Sequence, residues 1–105
     1  THWRELFVAA PIGQRVLEGY VDLLVRTDDG LIVVDYKTDR WSGHSAERAA
    51  RYRLQLAAYG VALSTVLDEP PVGGVVVHAR AGRPAEELPV ERWAAALDEV
   101  RALAE

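Results

Sequence analysis

The 105-residue chain contains no cysteine, no methionine and a single phenylalanine. Without cysteine there can be no disulfide staple, thiolate zinc site or Cys-ligated iron–sulfur cluster. Long apolar runs are missing too. None approaches the roughly 20 residues that a membrane-spanning helix needs, so no membrane partner is expected. The opening Thr1-His2-Trp3-Arg4-Glu5 lacks the basic start and apolar stretch of a signal peptide. With no initiator Met, the expectation is an excised piece of a longer polypeptide, cytoplasmic in location. The three histidines, His2, His44 and His78, are dispersed without the i, i+4 spacing of a zinc pair. Gly73-Gly74 is not followed by the Gly-Lys-Ser/Thr of a phosphate-binding loop, so the chain is expected to carry no ATPase of its own. Basic charge is scarce as well: 12 Lys+Arg face 16 Asp+Glu, a net charge of -4. Proteins that hold DNA chiefly by neutralising phosphates are usually basic, so bulk charge alone argues against nucleic acid unless the charge is segregated.

What is present suffices for one domain over residues 1–105. Half the residues are apolar, enough for a modest core. Leu6–Ala10 is a short β-prone run, and Arg15–Arg26 is a longer one. The turn Asp28-Asp29-Gly30 then leads into Leu31-Ile32-Val33-Val34-Asp35-Tyr36-Lys37, which predicts a hairpin and, with the first run, an antiparallel meander. From about Ala46 the apolar residues Ala49, Tyr52, Leu56, Tyr59 and Leu63 recur every three or four positions. They predict a helix with Ser45 as N-cap, ending before Asp68-Glu69-Pro70-Pro71. Val75–Arg80 reads as a further strand ending at Gly82-Arg83-Pro84. A last helix, from about Val90 to Ala104, carries Trp93, Leu97, Val100 and Leu103 on one side. The expected order is β-β-β-α-β-α, an α/β (α+β) architecture with a central mixed sheet and flanking helices.

Three charged residues stand out. Asp22 interrupts an apolar strand, Asp35 ends another, and Lys37 follows on the same strand face as Asp35. Asp22 and Asp35 are nearly symmetric about the Asp28-Asp29-Gly30 turn, which puts them side by side at one end of the sheet. Charges there are costly unless compensated. One reading is a structural ion pair of Lys37 with either aspartate. The other is a divalent-cation site: Mg²⁺ takes oxygen ligands and is typically held by one or two carboxylates plus substrate phosphate. In that reading the Tyr36 carbonyl is a further oxygen ligand. The lysine then orients or helps deprotonate the attacking water, or steadies the phosphate.

Glu18-Gly19-Tyr20-Val21-Asp22-Leu23-Leu24, Val33-Val34-Asp35-Tyr36-Lys37-Thr38-Asp39 and Tyr52-Arg53-Leu54-Gln55-Leu56-Ala57-Ala58-Tyr59 together resemble the RecB-like nucleases of the PD-(D/E)XK superfamily. That group includes the C-terminal nuclease domains of RecB, AddA, AddB and UvrD-like helicase–nucleases. The resemblance runs over about residues 5–63, with the blocks in order. It implies a restriction-endonuclease-like core whose first helix is missing here, a meander followed by α-β-α. It also implies that Asp22 and Asp35 are metal-ligand acids, with a further ligand upstream, and that Lys37 is the catalytic lysine. Gln55 and Tyr59 match the family's Gln-X-X-X-Tyr motif and line the site; four apart on a helix, they share a face. The implied cofactor is Mg²⁺, with Mn²⁺ as a substitute. The implied partners are DNA and the helicase motor of the same polypeptide, or a partner helicase–nuclease chain, acting in double-strand-break repair. A catalytically inactive DNA-binding or scaffolding module is the alternative.

Arg40, Arg48, Arg51 and Arg53, with Lys37, make this part of the chain locally positive. Phosphate contact and a solvated helix face account for them equally. Strict alternation puts Glu18 on the same strand face as Asp22, and Glu5 reads as a strand-end charge. His44, in the Ser42-Gly43-His44 loop, is the histidine expected nearest the site.

Overall fold

The computed structural model describes residues 2–38 and 46–104. The elements are β1 (His2–Ile12), β2 (Arg15–Thr27), β3 (Gly30–Lys37), α1 (Ala46–Val66), β4 (Gly73–Arg80), β5 (Arg83–Pro89) and α2 (Trp93–Ala104). The expected N-cap Ser45, Arg40 and the Ser42-Gly43-His44 loop lie outside the described residues.

The strands form one sheet in the order β1-β2-β3-β4-β5, antiparallel except between β3 and β4. That parallel pair needs a crossover, which α1 supplies. Both helices pack on one face: α1 lies across β1 to β4, and α2 lies against α1. Leu56, Ala57, Val61 and Leu63 of α1 meet Val8, Ala10, Val21, Leu24 and Val33 of the sheet. Each such fully buried Leu or Val contributes about 1.5–3 kcal/mol. Among the described residues no element covers the other sheet face, where Phe7 and Tyr20 pair edge to face with centroids 5.3 Å apart.

Two features depart from the expected pattern. The first is β5, absent from the sequence reading, which makes the order after the meander α-β-β-α. Its Pro84, Glu86-Glu87 and Pro89 have poor strand propensity. It forms because it is an edge strand, where missing donors and outward charges are tolerated. The second is a change of face in the β1–β2 ribbon. Gly19 lies under Tyr59 of α1, and Val21 is buried, so the odd residues of this part of β2 face the helices. Further along, Leu24 and Arg26 share a groove with Leu67 just beyond α1, so the inward set has become even. On β1 the inward set changes likewise, from Leu6 and Val8 to Trp3, across Glu5. Glu5 has φ 50°, the left-handed conformation that reverses a side chain's direction and that non-glycine residues seldom adopt. Strict alternation therefore fails here. Glu18 belongs to the outer set rather than to the face of Asp22, and Glu5 lies opposite Asp22 in a register running from Arg4↔Leu23 to Leu6↔Val21.

Candidate active site

The site forms where β2 and β3 part. Their pairing ends at Leu23↔Val34, one step short of Asp22 and Asp35. Beyond that step the Tyr36 backbone N–H, in place of a ladder carbonyl, donates to Asp22 Oδ2 at 2.9 Å. The face change in β2 brings Asp22 inward at this level, beside Asp35. Asp35 itself is 8% exposed, held on the central parallel pair opposite Val76.

Burial pushes the Asp35 carboxyl above the usual carboxylate range, and a hydrogen bond to Asp22 adds to the rise. The neighbouring Lys37 ammonium opposes it. Lys37 Nζ lies 2.8 Å from Asp35 Oδ2, yet no donor is aligned with that oxygen. Its aligned bond goes instead to Gln55 Oε1, at 3.0 Å. The ammonium also lies 4.9 Å from the centroid of the Tyr52 ring. Lys37 thus touches both β3 and α1.

Tyr59 stands one turn further along α1 from Gln55. Burial first, then the negative potential of Asp35 and Asp22, raises its phenol pKa, so the hydroxyl is kept protonated as a donor. Its seat depends on Gly19, because a Cβ there would lie 2.6 Å from the hydroxyl oxygen. Gly19→Ala is therefore expected to turn Tyr59 out of the site and return its pKa toward about 10. NMR titration of ring-labelled tyrosine checks this, and an unmoved Tyr59 titration would contradict the packing argument.

Arg48, Arg51, Tyr52 and Gln55 line an open cleft of about 460 Å³ beside Lys37. Arg53 is placed differently: it forms an ion pair with Glu99 and reaches the carbonyls of Glu91 and Arg92. The structure makes it a strut between α1 and α2, which corrects the sequence expectation that it stands with Arg48 and Arg51 for phosphate contact. The apolar groove of about 440 Å³ lined by Ile12, Leu17, Leu54, Val100 and Leu103 holds neither aspartate nor Lys37.

Sequence reasoning passed over three neighbours of the site. Tyr52 read as core, although its spacing from Gln55 and Tyr59 places all three on one helix face. Gly19 carried only the weak signal of a glycine inside a strand. His78 read as a surface or strand residue; it is buried on β4, in register with Lys37.

Among the described residues no cluster of three or more acidic or histidine side chains is assembled. The donor set nevertheless suits a hard divalent cation: two adjacent carboxylates, one with a buried oxygen that lacks an aligned donor.

A mixed sheet with helices on one face, carrying paired carboxylates and a lysine where its central strands part, defines the restriction-endonuclease-like class. The profile of the PD-(D/E)XK nuclease superfamily matches residues 1–105, and the chain belongs to that superfamily. It is 47% identical over 53 residues to an ATP-dependent helicase/nuclease of Desulforudis audaxviator (strain MP104C), covering 50% of this chain and 4% of that protein. It is 36% identical over 76 residues to the corresponding ATP-dependent helicase/nuclease of Streptococcus pyogenes serotype M5 (strain Manfredo), covering 70% of this chain and 6% of that one. The chain thus spans a small fraction of these relatives' length. The crystal structure of SSO0001 shares the fold, with a TM-score of 0.57 at 18% identity, over 99% of this chain and 50% of that one. No helix among the described residues is long and apolar enough to cross a membrane.

Proposed function

We propose that this domain hydrolyses phosphodiester bonds in DNA with Mg²⁺, as the nuclease part of a longer ATP-dependent helicase–nuclease that processes DNA ends in double-strand-break repair, in the cytoplasm. The carrying observation is Asp35: a buried carboxylate kept against Asp22 and Lys37 at an energetic disadvantage. A chain with no use for that charge gains stability by losing it.

In this reading Asp22 and Asp35 hold the cation, with the Tyr36 carbonyl as a further oxygen donor. The bound Mg²⁺ supplies Lewis-acid stabilisation of the charge that builds on the phosphate. Lys37, fixed by Gln55, offers its ammonium to the same oxygens. The protonated Tyr59 hydroxyl is a second donor. Arg48 and Arg51 hold flanking phosphates along the cleft, which lets an acidic chain bind a polyanion locally. Water attacks phosphorus, and the bond from phosphorus to the bridging oxygen breaks. The helicase motor of the same polypeptide, or of a partner chain, delivers the strand.

The test is cleavage of linear DNA by the full-length protein during titration with Mg²⁺ or Mn²⁺. Lys37→Ala is expected to lower kcat by about a hundredfold or more while DNA binding in chelator persists. Undiminished cleavage by that variant would sink the assignment. DNA binding without cleavage by the parent at any metal concentration would favour the scaffolding alternative.

A further inference from the structure

The geometry points to Tyr52 as a positioning residue for Lys37, its ring face holding the ammonium between Asp35 and Gln55. This rests on the nuclease reading for its kinetic consequence, though not for its structural one. A lysine is a point charge on four flexible carbons, with three donors that can turn to any acceptor. Left beside a buried carboxylate, it would settle into an aligned hydrogen bond with it. Here it does not: Nζ is 2.8 Å from Asp35 Oδ2 but out of line with it. The ammonium instead bonds Gln55 Oε1 at 3.0 Å and lies 4.9 Å from the Tyr52 centroid, within cation–π range. Both partners come from α1 at an i, i+3 spacing, so one helix face makes the seat.

The seat is rigid on one side and polar on the other. Tyr52 packs against the hydrophobic core, so its ring is anchored rather than draped over the lysine. The Lys37 side chain is largely withdrawn from solvent, at 22% exposure, where a cation–π contact is stronger than at the surface. The consequence is chemical. By drawing the ammonium toward α1, Tyr52 and Gln55 keep Asp35 Oδ2 available while leaving the positive charge beside it. Without the ring, Lys37 has two ways to go: onto Asp35, competing for the oxygen, or out to water. Either outcome lowers turnover without weakening DNA binding in the cleft.

The experiment holds ring size fixed and changes only the π face. Phenylalanine, 3,5-difluorophenylalanine and 3,4,5-trifluorophenylalanine are placed at position 52 of the full-length protein, beside Tyr52→Leu. Tyr52→Phe is expected to keep kcat within about threefold, and the trifluoro ring to lower it by about tenfold. KM for DNA should stay level across the series. The Lys37 ε-methylene protons should be shifted upfield by the ring in wild type and Tyr52→Phe, and lose that shift in Tyr52→Leu, by NMR in chelator. A kcat indifferent to fluorination would overturn the inference. So would Tyr52→Phe falling as far as Tyr52→Leu, which would assign the role to the hydroxyl, or a rise in KM alone. If the wild type cleaves no DNA, the nuclease reading falls, and the upfield shift still decides whether the ring seats Lys37. Should Tyr52→Leu fail to fold, the fluorinated series decides unaided.

Discussion

Asp35→Asn is expected to lower DNA cleavage by about a thousandfold and, in chelator, to raise the melting temperature of the chain. The two effects have one origin. Burial and the bond to Asp22 hold the Asp35 pKa above its unfolded value, and Lys37 only partly offsets them. A carboxyl raised in this way stabilises the fold below its unfolded pKa of about 3.9, and that contribution is lost as pH rises through the higher folded value. At neutral pH the ionised group is a liability that asparagine lacks. The gap between variant and wild type should narrow as the pH of the metal-free protein is brought down toward 4. For a domain of this size each kcal/mol moves the melting temperature by roughly 4–8 °C. Mg²⁺ should reverse the ranking, because a ligand at a hundred times its Kd adds about 2.7 kcal/mol to the state that binds it. Scanning calorimetry with and without metal reads both halves. A variant that melts lower than wild type in chelator at pH 7 would contradict the account of Asp35.

Gly60→Ala is expected to destabilise the chain by about 1–3 kcal/mol, although alanine is the better helix former by up to ~1 kcal/mol. Two effects compete, and distance decides. A Cβ on Gly60 would sit 2.5 Å from the Trp93 ring and 2.9 Å from a Leu97 methyl. The ring cannot retreat, because on its other side a Cβ on Gly74 of β4 would meet it at 2.6 Å. Its indole N–H is also tied to the Pro71 carbonyl at 3.0 Å. Trp93 is therefore a wedge between α1, α2 and β4 that two glycines make room for. Urea unfolding followed by circular dichroism checks the sign; a more stable Gly60→Ala would show that helix propensity wins. Because Trp93 makes none of the contacts of Lys37, the folded fraction of this variant should keep its cleavage rate.

How far the sequence foretold this arrangement depends on the range of the interaction concerned. The β2–β3 hairpin is local, turned at Asp28-Asp29-Gly30, and Gly30 adopts the positive φ that the turn requires. Counting outward from that turn was enough to place Asp22 level with Asp35. The face change was invisible because a left-handed Glu5 has no compositional mark, unlike a glycine or asparagine. β5 was invisible because an edge strand owes its existence to the neighbour it pairs with rather than to its own residues. The start of α2 was placed near Val90, whereas Arg92 takes a positive φ and the helix begins at Trp93. Tyr52 was hidden by its double role. Aromatic spacing on a helix announces burial, and only the lysine on β3 shows that one ring face is turned to a charge.

The inversion shared by β1 and β2 limits where the chain can change length. Asp22 points inward because Glu5 and the Val21–Asp22 step reverse together at the same level of the ribbon. A residue gained or lost in either strand between that level and the Gly13-Gln14 turn would bring the reversals out of step. Asp22 would then be carried to the outer face, away from Asp35. Insertions are absorbed without that penalty only at the turns, Gly13-Gln14 and Asp28-Asp29, where no paired position is displaced. The spacing from Glu5 to Asp22 is thus a measured length that the hairpin must keep, set by geometry and not by any side chain along it.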